Sequence, residues 1–332
     1  FQAFATARMR ATLDVIRSDE KARRKMPNLL ATPNMLDVIK DIQTIVASRD
    51  TLDLIATRMP GHIRNLSAGV LDNLKHLLDS RLCAEHNLQP YAMIMVANRL
   101  AAPWQLIRLA VKAAESDDAA RIASSPYAPA VSITLGDVER MVEELKADLK
   151  SGRTVAVTSL LKCIHDAVRG VRTELDLSTD STWGRQLAAI RSEISNMLKA
   201  EIESVPGRVR RLVRPRPPQD IARGSMLNAD EVSETAAMIE FVGACRNFSR
   251  ELAASEVTLR TFQEIQQYLD GGTRALLDAL RMAGEDDRSF RKSQMDAAIK
   301  FCGKAFGQDY AALLAKAAET AGGAERKVAA KA

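Results

Sequence analysis

Apolar side chains recur along most of this chain at alternating intervals of three and four residues, the spacing that keeps returning to one side of a helix with 3.6 residues per turn. The pattern is most sustained over residues 154–205. In a first arm, Val157, Leu161, Ile164, Val168, Val171 and Leu175 follow it, and in a second arm Trp183, Leu187, Ile190, Ile194 and Met197 do the same. A loop around 176–182 separates the arms, with Asp180 or Ser181 placed to cap the second. Two consecutive arms of this kind predict an antiparallel, coiled-coil-like hairpin, and a dimeric coiled coil is the other packing the pattern allows.

Shorter runs of the same spacing fill the rest of the chain. Residues 1–26 read as an N-terminal helix, ended by Pro27. Thr32 and Pro33 then suit the cap and first turn of another helix, whose apolar face is Met35, Ile39, Ile42 and Val46. Leu71, Leu74, Leu78 and Leu82 mark the inner side of a helix over 62–86. Pro90 and Pro103 start further helices, Asp117 and Asp118 are placed to cap a short one, and Thr134 with Asp137 makes a capping-box-like start. Towards the C-terminus, Asn228 and Glu231 fit a cap ahead of a seam of Met238, Phe241, Cys245, Phe248 and Leu252. A second seam, Leu259, Phe262, Ile265 and Leu269, is expected to stop at Gly271-Gly272, before a short helix at 273–283 and a last one bearing Met295, Ile299, Cys302 and Phe306.

The expected fold class is therefore all-α, with two helical-bundle domains. The first covers 27–205 and includes the hairpin, the second covers 225–321, and 206–224 joins them as an Arg/Pro-rich linker. Residues 322–332 are expected to be a disordered tail.

Composition agrees with a helical, folded chain. Of 332 residues, 46% are apolar and 27% charged, which excludes wholesale disorder and fibrous repeats. Charge sharpens the picture at one place. The net charge is +5, and 206–223 (PGRVRRLVRPRPPQDIAR) holds six arginines, Arg208, Arg210, Arg211, Arg214, Arg216 and Arg223, against one acid, Asp220. Taking those six cations and one anion away leaves 41 basic and 41 acidic residues, so this segment carries the excess. Its four prolines are expected to keep it out of a helix and extended. A semi-rigid spacer is one role for such a strip. The other is docking to phosphates or acidic protein surfaces, which suit the guanidinium fork.

The most apolar stretch, 88–114, carries Arg99, Arg108 and Pro103, and charges at membrane depth are costly, so no membrane span is expected. No signal peptide is visible in the Arg-rich opening segment. Cys83, Cys163, Cys245 and Cys302 are far apart and form no CxxC pair, which suits reduced thiols in a cytoplasmic protein.

Candidate chemistry is thin. His76, Cys83 and His86 could share one side of a helix, but seven residues rise about 10 Å, more than one metal ion spans. His165-Asp166 invites a phosphohydrolase or phosphorelay reading, yet the nearest preceding histidine is 79 residues away and no phosphoacceptor sequence surrounds it. His165 reads as a structural residue at the rim of the hairpin seam. No Glu-x-x-His, GxGxxG, GxxxxGK[ST] or GxSxG sequence occurs, so neither a cofactor nor enzyme chemistry is indicated. The expected function is a non-enzymatic interaction or scaffold protein that binds a protein partner or itself through apolar helix faces. The alternative is nucleic-acid binding, with the six linker arginines on phosphates.

Overall fold

The computed structural model describes residues 2–21, 35–82, 85–151, 154–248, 251 and 254–323. Among them there are fourteen α-helices and no strand, so the chain is all-α. Expectations that fall on Pro27, Thr32-Pro33, Cys83, Leu252 and residues 324–332 lie outside the described residues.

The chain divides into two compact units. One is residues 1–137 with 169–186, and the other is 138–168 with 187–332. This division does not follow the boundary read from the Arg/Pro segment, because it falls inside three helices rather than between them.

The first unit opens with α1 (Gln2–Ser18), which packs on α2 (Met35–Ala47). Then come α3 (Arg49–Arg58), α4 (Ala68–Leu82), α5 (Gln89–Ala97), α6 (Ile107–Ala114) and the short α7 (Ala119–Ala123). The apolar stretch 88–114 is thus two short helices joined by a 3-10 turn, Pro103–Leu106. Among the described residues no helix is long and apolar enough to cross a membrane. The core of this unit holds Ile55, Leu78, Met93, Leu106, Leu109 and Ile122, all essentially without solvent contact. The Asp118 carboxylate accepts from Arg121 N at 2.8 Å and so caps α7, as its position suggests. The segment 169–186 is tied in by Asp176 N donating to Asp117 O at 2.9 Å and by the Arg108–Glu174 ion pair at 2.7 Å.

Three helices run through the division: α8 (Pro129–Lys150), α9 (Thr154–Glu174) and α10 (Thr182–Val213). Helix α8 starts at Pro129 rather than at the expected Thr134 box. The Thr134 hydroxyl donates back to Ala130 O at 2.9 Å, a bond made inside a helix and not at its start. Ser181 does cap α10, accepting from Gly184 N at 3.0 Å.

In the second unit, Leu161 and Ile164 of α9 are fully buried, as expected. On α10 the buried row runs Leu187, Ile190, Ile194, Leu198, Ile202 and Val205, while Met197 stays partly exposed. An unsupercoiled helix drifts by about 20° per heptad against a strict 4/3 repeat, and the drift moves the inner position from 197 to 198.

The remaining helices of this unit are α11 (Ala229–Phe248), α12 (Ser255–Arg281), α13 (Arg288–Ala305) and α14 (Gln308–Gly323). Helix α11 packs on α12 and α13, α12 on α13 and α14, and α13 on α14. Asn228 caps α11 as expected, accepting from Asp230 N at 2.9 Å. Two expectations fail in α12. The helix continues through Gly271-Gly272 to Arg281, because neither glycine adopts positive φ and helical neighbours carry the turn. Leu259 is exposed, and Thr258 and Thr261 hold the inner positions beside Phe262 and Ile265.

Candidate interaction surfaces

The arginine segment is the first candidate, and half of it is helix. Residues 206–213, expected as the start of an extended linker, are instead the last two turns of α10, with Pro206 inside the helix. Proline there removes one bond to a carbonyl four residues back. Val205, Val209, Leu212 and Val213 are all buried, and that packing holds the helix through the defect. The chain leaves helical structure only after Val213, passing through a short 3-10 turn at Pro218–Asp220.

This helical course sets the direction of the arginines. Arg208 donates to Glu234 at 2.8 Å, Arg211 pairs with Glu231, and Arg210 pairs with Glu264 while its guanidinium lies 5.8 Å from the Tyr268 ring centroid. Further along, Arg223 pairs with Asp286 at 2.9 Å, and the Arg216 guanidinium stands 5.0 Å from the Phe290 ring centroid. Four of the six candidate arginines therefore hold carboxylates of the same unit. Arg214 and Arg216 are exposed and pair with no carboxylate among the described residues. Both belong to the irregular segment.

Gln294, which sequence reasoning passed over, fixes the end of this helix. Its side chain is fully buried, and its Nε2 donates to the carbonyls of Leu212 at 3.2 Å and Arg214 at 2.9 Å. The last carbonyls of a helix lack partners within it, and one amide here serves two of them. The signal was present in the sequence: Gln294 interrupts the otherwise apolar inner row Phe290, Ala297, Ala298 and Phe301.

His165 Nδ1 lies 3.0 Å from Asp166 Oδ1, its ring is 5.1 Å from that of Phe248, and 15% of its side chain meets solvent. No group of three His, Cys, Asp or Glu side chains is arranged to hold a metal ion among the described residues. Cys163 is exposed, while Cys245 and Cys302 are buried, with burial pushing each thiol up to about 12.

A cleft of about 220 Å³ in the first unit is lined by Asp79, Leu82, His86, Gln89 and Pro126. Asp79 accepts from Lys75 at 2.6 Å and from the Tyr127 hydroxyl at 2.6 Å. Burial opposes its ionisation, but these two hydrogen bonds outweigh it and hold the carboxyl below its ordinary range. Burial, and then the donation to Asp79, pushes the Tyr127 phenol upward. The polar groups are engaged with one another, which makes this network a tie between α4 and the segment before α8.

The second candidate surface is apolar. Val38 (43% exposed), Ile42 (46%) and Ile45 (41%) form an open row on α2, and no described side chain of that helix from Asp37 to Ala47 is buried. On α1, Phe4 (73%) and Val15 (59%) are also open. Leu54 of α3 and Ile94 of α5 complete seven exposed large apolar side chains, out of eleven among the described residues. All seven belong to the first unit.

Comparison with known proteins adds no relative: no family model, no curated protein and no solved structure matches this chain.

Proposed function

We propose that this chain is a non-enzymatic helical interaction protein that binds a protein partner, or itself, through the apolar face of its N-terminal helices. The observation that carries the reading is the open row Val38, Ile42 and Ile45 on a helix that buries none of its described side chains. A 13-residue helix is marginal on its own in water and draws its stability from packing an apolar face. Within the second unit, α9 and α10 are taken to pair as the antiparallel, coiled-coil-like hairpin, in support of which Leu161, Ile164, Ile190 and Ile194 are buried. Unpaired Cys163, Cys245 and Cys302 support work in a reducing, cytoplasmic setting.

The test is a photo-crosslinking residue at Ile42, with exposed Asn73 as control, irradiated in extract and analysed by mass spectrometry. The reading expects one protein to be attached at position 42 and not at 73. Equal, sparse attachment at both sites would sink it.

Phosphate contact is the second reading, and it rests on Arg214 and Arg216. Salt-sensitive binding of oligonucleotides that is lost in Arg214→Gln/Arg216→Gln would promote it.

A further inference from the structure

We propose that the occupant of the open α2 face is α1 of a second copy of this chain; the inference rests on the interaction reading above and names the partner. At 100° per residue, Phe4, Arg8, Ala11 and Val15 fall within about 60° on α1, and Val38, Ile42 and Ile45 fall within about 60° on α2. Each row is a ready-made side of a helix pair.

On α1, the row points away from the helix's own packing. Leu13 and Ile16 are the buried residues of α1, and Leu13 lies on nearly the opposite side from Phe4. The helix therefore has a second apolar side to bury, with Ala7 and Ala11 small enough to admit a close neighbour. On α2, the open row lies between the side bearing Ile39 and Val46, which are half-buried, and the acidic edge formed by Asp37 and Asp41.

Charge selects α1 as the occupant. Arg8 and Arg10 are the only charged residues of α1 before Asp14. Arg8 sits within the apolar row itself, and both arginines are exposed. The α2 row is bordered by Asp41, about 40° beyond Ile45 at 100° per residue, and by Asp37 one turn before it. Asp41 also accepts from the Tyr91 hydroxyl at 2.7 Å and Asp37 pairs with Lys40 at 2.7 Å, which leaves this edge one negative charge in excess. An apolar row carrying a cation thus meets an apolar row beside an acidic edge, each anchored at i, i+4 and i+7 spacing. The two surfaces differ, so the contact is heterologous: it closes into a ring or continues from copy to copy. It is also small, a few helical turns, which places it at the weak end of specific interfaces, in the micromolar range.

The test uses the 332-residue chain and sedimentation equilibrium up to about 200 µM, above the micromolar dissociation constant expected. Wild type should rise above 36.3 kDa with concentration. One variant spoils the α1 row (Phe4→Asp/Val15→Asp) and another spoils the α2 row (Val38→Asp/Ile42→Asp). Each alone should stay at 36.3 kDa with wild-type helicity, since all four side chains are already exposed. Mixed together, the two keep one intact contact and should give a mass of two chains. Arg8→Glu should weaken wild-type association on the order of tenfold, and more so at low salt.

Wild type that stays monomeric throughout overturns the inference, as does a mixture that stays monomeric while wild type associates. A monomeric wild type that is still crosslinked at position 42 to another protein in extract would overturn only the second copy and leave the interaction reading standing. Absence of both would remove both.

Discussion

The indole of Trp104 lies so close over Gly170 that a Cβ at the glycine would stand 2.3 Å from Cε3 of the ring. Glycine inside a helix costs about 1 kcal/mol relative to alanine, so propensity alone would favour replacing it. The indole cannot swing aside freely, because the Arg108 guanidinium stands 5.4 Å from its centroid and is itself paired with Glu174.

The clash therefore outweighs propensity, and Gly170→Ala should destabilise the protein by about 1–3 kcal/mol. A lowered urea midpoint, with a change in the fluorescence of the folded state, is the expected outcome. An unchanged or raised midpoint would mean the indole moves at no cost.

The triple variant Arg208→Gln/Arg210→Gln/Arg211→Gln tests whether the basic strip serves the fold. Exposed pairs contribute roughly 0–1 kcal/mol each, so a total loss of about 1–2 kcal/mol is expected. The loss should shrink as salt screens the wild-type pairs. Equal stability of variant and wild type at low salt would show that the carboxylates of Glu231, Glu234 and Glu264 do not need these cations.

The same arginines show where sequence reading reached and where it stopped. Helical spacing is local, so it gives the rows through Leu161, Ile164, Ile190 and Ile194 and the all-α class, while residue type gives the Asn228 cap and narrows the α10 cap to Asp180 or Ser181. Pairing across the fold is not local. Arg208 and Glu234 are 26 residues apart and Arg210 and Glu264 are 54 apart, with no motif linking them. A segment rich in cations therefore read as free charge. Pro206 and Gly271-Gly272 misled for the opposite reason: each disfavours helix locally, and packing of the surrounding side chains overrode it. Periodicity puts Ile42 on an apolar face, which is where it lies, but does not tell whether that face is covered.

Gln294→Met preserves length and removes the two donations to Leu212 O and Arg214 O. Carbonyls stranded in a buried position cost about 1–3 kcal/mol, so a loss of that size is expected in urea unfolding. Amide exchange should quicken in the last turn of α10, ahead of the rest of that helix. Uniform exchange along α10 in both proteins would show that the amide does not hold the helix end.

Alkaline pH should weaken the fold through its tyrosines. Burial, followed by donation to Asp41 at 2.7 Å, pushes the Tyr91 phenol from its ordinary 10.0 up to about 12. Burial likewise raises Tyr127, Tyr268 and Tyr310, in Tyr268 against the opposing pull of Arg210 and Arg214. A phenol whose pKa is higher in the folded state binds its proton more tightly there than in the unfolded chain. Its contribution is complete below pH 10 and is lost as pH rises towards 12, where the unfolded chain is already ionised. Phenolate absorbance of the folded protein should thus lag behind that of the protein in denaturant, and the urea midpoint should fall across the same interval. Tyr91→Phe should remove one late-ionising phenol and make that fall shallower. Four phenols ionising together near the ordinary value in the folded protein would contradict both the burial and the Asp41 bond.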